Sequence, residues 1–360
     1  MAALLILFPS VSYAFESYPF FYENTRSKGM GGATVALSDD EQALYSNPAA
    51  LAIRKRKNYA FVSLTGEINQ DFRRVKDETD RLSDKDTPEG RAFNNDVLNR
   101  TMGTQARLLL SNFAYYLGAS GFGVGFLSQS LGEISVIRPT NPRVKNLQVF
   151  DSVLSGSFSR PVSGKSIVLS DKSNGWWGFT AKVVTRNYIN HDFDARDFAG
   201  LSENALKANK FNGVTGDIDF GTFWALDNKY WQTLGLTVGN IFENNLDDNV
   251  GHLNRWLAFG TSIHPLSGPQ ERQEKLLFAA DYWSMDEGGS FLSNIRIGLE
   301  GKPYDWLALR MGVRGGYISA GLTTTFRLLQ LDYATYSEEL GPRPGSLEDR
   351  RHTVSISAVF

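Results

Sequence analysis

From residue 57 onward the chain alternates apolar and polar side chains with a period of two, again and again. In one stretch Ile295, Ile297 and Leu299 oppose Arg296, Gly298 and Glu300; in the next Leu307, Leu309, Met311 and Val313 oppose Ala308, Arg310, Gly312 and Arg314. Trp177, Phe179, Ala181 and Val183 oppose Thr180, Lys182 and Arg186 in the same way. This period puts successive side chains on opposite faces of a strand, so each segment builds a sheet with one apolar and one polar face. A soluble antiparallel sheet alternates likewise, so the connections have to separate the two cases.

Fourteen such segments are predicted, near 57–68, 103–117, 121–131, 146–160, 173–187, 213–227, 231–243, 252–264, 274–286, 292–302, 305–316, 317–327, 328–337 and 350–360. The number is even, and most segments reach the roughly 9–11 residues a tilted strand needs to cross a bilayer. The connections after odd strands include 69–102, 132–145, 188–212 and 338–349, all long and polar. Those after even strands are mostly tight, as at 119–120, 228–230 and 303–304, with 161–172, 265–273 and the near-absent link at 316–317 breaking the rule. Long loops at one end and short turns at the other describe a barrel in an outer membrane. The expected fold class is all-β: a transmembrane antiparallel β-barrel of about fourteen strands.

Trp224, Tyr230 and Trp231 flank one short turn, and Tyr304 and Trp306 another. Such rings settle where apolar and wet surroundings meet, so two groups at one end suggest a girdle. The final "TVSISAVF" alternates strictly and ends on Phe360, the form of a closing strand read by barrel-assembly machinery. The charged stretch 69–102 reads as one or two short helices on a surface loop, interrupted by Pro88-Glu89-Gly90.

Residues 1–14 carry an apolar run followed by Ser12-Tyr13-Ala14, the core and end of a signal peptide, although no Lys or Arg precedes Arg26. Net charge is -2, which gives no bulk attraction to nucleic acid. There is no cysteine, and the four histidines at 191, 252, 264 and 352 lack metal-ligand spacing. Asp192, Asp194 and Asp197 read as a plain acidic loop. No nucleophile elbow or phosphate-binding loop occurs, so the chain reads as neither an enzyme nor a holder of metal or cofactor.

The alternation sends Lys182, Arg186, Arg296, Arg310 and Arg314 to the lumen face together with Asp217, Asp219, Asp281, Glu300 and Asp332. One sign would suggest ion selectivity; a balanced set suggests a salt-bridge network across the interior that anchors a plug. A barrel of about fourteen strands is wider than its own side chains can fill. The stretch "GMGGATVALSDDEQALYSNPAALA", residues 29–52, has what a segment entering that lumen needs: small residues, glycines and polar groups. Asp39-Asp40-Glu41 precede "QALY" as a helix start, and Asn47-Pro48 ends that helix. The domains expected are a signal peptide at 1–14, a hatch at 15–56 and a barrel at 57–360.

This stretch resembles the N-terminal segment of the FadL-type outer-membrane proteins and their PorV-like relatives. Gly31, Gly32, Ala33, Val35, Ala36, Asp39, Asp40, Ala43, Tyr45, Asn47, Pro48, Ala49 and Leu51 match the pattern. The last strands, from "LEGKPYDWLALRMGVRGG" to "HTVSISAVF", also resemble that family. The resemblance implies a bacterial outer-membrane barrel whose lumen is plugged by a hatch, with Gly29, Gly31, Gly32, Asp39, Asp40, Tyr45, Asn47, Pro48 and Ala49 as its elements. In the transporter branch, fatty-acid-like hydrophobic compounds enter from outside and leave sideways through a gap in the wall. The PorV-like branch is an accessory to protein secretion; charged external loops and a short chain point towards it, with loops 69–102 and 188–212 as the docking surface. The partners implied are outer-membrane lipid, the assembly machinery, and a hydrophobic ligand or a secreted protein.

Overall fold

A strand with one apolar and one polar face is stable only when both faces find their solvent, and closing the sheet on itself leaves no unpaired edge. The computed structural model describes residues 22–37, 40–53, 59–81, 87–101, 103–118, 121–137, 143–162, 173–194, 209–226, 228–247, 250–265, 275–285, 291–340, 345 and 347–360. The strands are β1 Tyr59–Asn69, β2 Gln105–Leu117, β3 Phe122–Ile137, β4 Arg143–Pro161, β5 Ser173–Asp194, β6 Lys210–Leu226 and β7 Thr233–Gly239. A small ribbon follows, β8 Asn245–Asp247 with β9 Gly251–His252. The barrel resumes with β10 Trp256–Ile263, β11 Leu276–Met285, β12 Ile295–Tyr304, β13 Leu307–Arg314, β14 Tyr317–Phe326, β15 Leu329–Glu339 and β16 Glu348–Val359. All but β8 and β9 form one closed antiparallel barrel of fourteen strands, each paired with its sequence neighbours and β1 with β16.

Closure is made along Phe61↔Val359 to Asn69↔Arg351, and the Phe360 amide donates to Ala60 O at 2.9 Å beyond the last paired residue. The outward rows are apolar: Val62, Leu64, Leu309, Met311, Val354 and Ile356 are all exposed. Their neighbours Ser63, Arg310, Thr353 and Ser355 are buried on the lumen side. Tyr304 and Trp306 lie exposed beside their turn, stacked at 5.5 Å, and Tyr230 is exposed at the turn between β6 and β7.

Three details differ from the sequence expectation. Strand reaches into segments 132–145 and 188–212, because β3 runs to Ile137, β4 starts at Arg143, β5 runs to Asp194 and β6 starts at Lys210; residues 138–142 and 195–208 lie outside the described residues. Backbone pairing needs no apolar belt, and the ladder continues in register from Val149↔Tyr188 to Arg143↔Asp194. Pro88 opens a helix instead of interrupting one: α3 and α4 span Phe72–Thr79 and Pro88–Arg100, and proline suits a first helical turn. The strand expected to end at 243 stops at Gly239, where Asn240 takes a φ of 52° and the chain leaves the wall.

Candidate functional site

The N-terminal segment lies against the inner wall. It begins with helix α1, Thr25–Gly29, capped by the Asn24 side chain, which accepts from the Ser27 amide at 2.8 Å. Gly31 and Gly32 turn the chain with φ of 65° and 83°, values open to glycine but not to a β-branched residue. A second helix α2, Ala43–Ser46, stops at Asn47, whose extended backbone precedes Pro48, and a 3-10 turn follows over Pro48–Ile53. Asp40 and Glu41 do not hold the N-cap position of α2; Gln42 does, and its side chain makes no capping bond. Asp40 instead accepts from the Gln42 amide at 3.1 Å and pairs with Arg26 at 3.1 Å, while Glu41 accepts from Asn24. Asp39 and residues 1–21 lie outside the described residues.

The wall is shaped for this segment. Gly125, Gly178, Gly221, Gly235, Gly260, Gly298, Gly312 and Gly321 stand on eight different strands and face inward. A side-chain carbon added at any of them would fall within 3.1 Å of an atom in the segment. Gly178 meets the Pro48 carbonyl, Gly235 meets Val35 O, Gly312 meets the Gly31 amide nitrogen and Gly321 meets Gly29. Two backbones can approach this closely only where one side chain is missing.

Polar ties complete the fit. Asn47 is fully buried; its amide donates to Val35 O at 2.9 Å and to Thr222 O on β6 at 3.0 Å, and its oxygen accepts from the Ala49 amide at 3.2 Å. Asp281 accepts from the amides of Thr34 and Val35, at 2.5 and 2.9 Å. Glu300 takes Arg26 through two bonds of 2.8 Å and Arg310 through one of 2.5 Å. Arg314 reaches Glu23 at 2.9 Å, and Lys28 reaches Glu67 at 2.5 Å. Tyr45 Oη accepts from Ser155 on β4 at 3.0 Å. The remaining lumen charges pair within the wall. Lys182 meets Asp219 at 2.6 Å, and Arg310 and Asp332 share Thr323. Arg186 takes a partner the sequence reading had not marked, Asp151, at 2.7 and 2.8 Å. Arg296 stacks over Trp283 at 4.3 Å and points to Gly32 O. Asp217 holds backbone instead of a cation, accepting from the amides of Phe242 and Asn244.

Buried charge lines the lumen on both sides: Glu300, Arg310 and Arg351 on β12–β16, and Glu67, Arg107, Asp151, Lys182, Arg186, Asp217 and Asp219 on β1–β6. Beside it lies an apolar column that the inner faces of β1–β6 share with Leu44 and Tyr45 of α2, with the stretch between β7 and β10 and with Val359 of β16. Leu246, Val250 and Leu253 stand at one end with Phe211 and Tyr188 against them. Val184, Val153 and Leu127 follow, then Leu44, Tyr45 and Phe113. Tyr115, Tyr59, Leu117 and Val359 reach the other rim. Ring pairs link the lower half: Tyr22–Phe113 at 4.2 Å, Phe113–Tyr115 at 6.1 Å and Tyr59–Tyr115 at 6.2 Å. Residues 22–51 therefore touch both charged and apolar side chains of the wall. Among the described residues no acidic or histidine group clusters in a way that would hold a metal ion.

No protein-family profile matches the sequence, and no curated protein is similar to it. Solved structures are similar in fold. The deltaS2S3 mutant of TodX, a monoaromatic hydrocarbon channel known from Pseudomonas putida, aligns at TM-score 0.54 and 13% identity over 94% of this chain and 98% of that one. The Ralstonia pickettii toluene transporter TbuX aligns at 0.51 and 12% over 94% and 97%. The monoaromatic hydrocarbon channel CymD aligns at 0.51 and 12% over 93% and 96%. The chain has the FadL-type channel fold. The alignments take in nearly all of this chain and of each of the three.

Glu23, Arg26, Lys28, Glu67, Arg107, Asp151 and Arg351 were missed as lumen charges by the sequence reading. Glu67, Arg107, Asp151 and Arg351 carry the inward phase of their strands, which was there to be read. Replacing Asn47 with alanine removes three hydrogen bonds at a fully buried point. At about 1 kcal/mol for each bond, and more for acceptors left bare, the segment is expected to loosen. Leakage of small solutes from liposomes carrying the variant should rise; leakage equal to wild type would contradict this.

Proposed function

We propose that the protein is a bacterial outer-membrane barrel that binds and passes small hydrophobic molecules, with residues 22–53 as its plug. The single observation that carries this reading is the apolar column that β1–β6 form together with Leu44, Tyr45 and Ala49 of the N-terminal segment, and that extends from Phe211 and Leu246 to Leu117 and Val359. A barrel kept only for stability has no need of such an apolar surface inside a lumen otherwise lined with charge. The glycine contacts and ion pairs that tie the segment to eight strands support its role as a plug. They leave the column's apolar face as the route of least polar cost, and they support hydrocarbon-like cargo over an ion or a sugar. The similar channels that carry aromatic hydrocarbons agree with this choice.

The test is uptake of radiolabelled toluene by cells producing the protein, compared with the variant Val153→Asp. Val153 is completely buried at the middle of the column opposite Val184, and the two cations that flank Val184 on β5, Lys182 and Arg186, already pair with Asp219 and Asp151, so a carboxylate there adds a buried charge that they do not neutralise. Burying an unpaired charge costs several kcal/mol, so uptake should fall to background while Val153→Leu retains it. Equal uptake by Val153→Asp and wild type, with both folded in the membrane, would overturn the reading.

A further inference from the structure

Between β7 and β10 the chain leaves the wall, and what it does there follows from a gap. Strands β6 and β7 pair only from Phe220↔Val238 to Ala225↔Thr233, so β6 has no barrel partner on that side from Lys210 to Asp219. The excursion covers this edge: the Ile241 amide donates to Ile218 O at 3.0 Å. It then turns inward. Leu246, Val250 and Leu253 are buried at the head of the apolar column, and Leu246 lies so close over Gly213 that a side chain there would stand 2.8 Å from its Cβ.

The means of attachment is unlike that of the N-terminal segment. Two carboxylates on β6 hold the excursion by its backbone: Asp219 accepts from the Asn240 amide at 2.8 Å, and Asp217 from Phe242 at 3.1 Å and Asn244 at 3.3 Å. Asn240 and Glu243 take left-handed φ of 52° and 51°, conformations that cost a non-glycine residue free energy. An ion pair within the excursion, Glu243–Arg255 at 2.9 Å, joins two of its own partly exposed residues. A strained stretch is thus pressed into an apolar place by three aliphatic side chains and a carboxylate latch.

We infer that Leu246, Val250 and Leu253 are a tethered stand-in for cargo, filling an outer binding site for neutral apolar molecules that displace them. This rests on the column being the route of passage. The site's chemistry selects for neutral cargo. Lys182 already pairs with Asp219, and Asp217 spends its charge on backbone amides, so among the described residues no cation at the latch is left to receive a carboxylate. An aromatic or aliphatic hydrocarbon fits between Tyr188, Phe211 and Val184; a fatty acid would set its head group beside Asp217.

The chain has no cysteine, so Val250→Cys gives a single reporter. Its maleimide labelling should be slow in the purified barrel, rise several-fold with toluene and stay unchanged with benzoate. Adding Asp217→Ala should raise it without any addition. In the unsubstituted protein, hydrogen exchange of the amides of Asn240, Phe242 and Asn244 should speed up with toluene, which covers the case of a misfolded variant. Labelling and exchange that ignore toluene, or respond equally to benzoate, would overturn the inference. If toluene displaces the excursion but cells take up none, the binding site stands and the reading as a passage falls.

Discussion

Replacing Gly235 with leucine is expected to push the N-terminal segment out of the lumen and leave an open pore. The α-carbon of Gly235 faces Val35 O, Val35 C and the Asn47 side-chain amide, so its missing side chain is where two parts of the segment meet the wall. A neighbouring side chain can swing away from an intruding methylene, but a backbone carbonyl moves only with its segment. Overpacking a tight contact costs about 1–3 kcal/mol even when the neighbours relax. Here the displaced groups also include the donors of Asn47, so the hydrogen bonds to Val35 O and Thr222 O go with them. Single-channel conductance in planar bilayers should change from near closed to a large steady conductance. Gly132→Leu is the control, since a side chain at Gly132 would meet nothing within 4 Å. A closed pore in Gly235→Leu, with the barrel assembled, would show that the segment is not held by the wall glycines.

Glu300→Ala should be the most destabilising single change to the lumen. Its carboxylate is fully buried and is shared by Arg26 of the N-terminal segment, Arg310 of β13 and, at 3.3 Å, Lys302. Removing it takes the nearest carboxylate from two buried guanidinium groups, leaving Asp40 at 3.1 Å from Arg26 and Asp332 at 3.8 Å from Arg310. Breaking buried pairs in this way costs about 3–5 kcal/mol, because the surviving charges have lost much of their compensation and not merely a contact. The temperature at which the barrel unfolds in detergent, read by its gel mobility shift, should drop well below wild type. Restoring neutrality tests the cause: adding Arg26→Met to Glu300→Ala should recover part of the loss. No recovery would assign the effect to packing.

Much of the architecture could be read from the residues. The phase of every strand quoted in the sequence reading is the phase found, including Asp281, which faces inward over Gly260. The turn at Asn47-Pro48 was legible because proline restricts the residue before it. The inward glycines were just as visible as members of the alternating rows, yet nothing in one strand reveals what its missing side chain makes room for. The strand lengths were misjudged where the alternation becomes polar on both faces, as at Gln148 and Asn187, because apolar belt and backbone ladder end at different places. Residues 240–243, at the start of the excursion, read as strand because Ile241 and Phe242 are apolar like any strand residues, and 244–251 read as a connection.

The sequence by itself determined how many barrel strands there are and which way their side chains point. These follow from the local two-residue period. Only the tertiary structure decided the partners: Arg26 with Glu300 across 274 positions, Asn47 with Thr222 across 175, Asp217 with the backbone of a loop instead of a lysine. A direction is a property of one strand's backbone. A pairing depends on the register of every strand between two residues, and that is set only when the sheet has closed around the segment inside it.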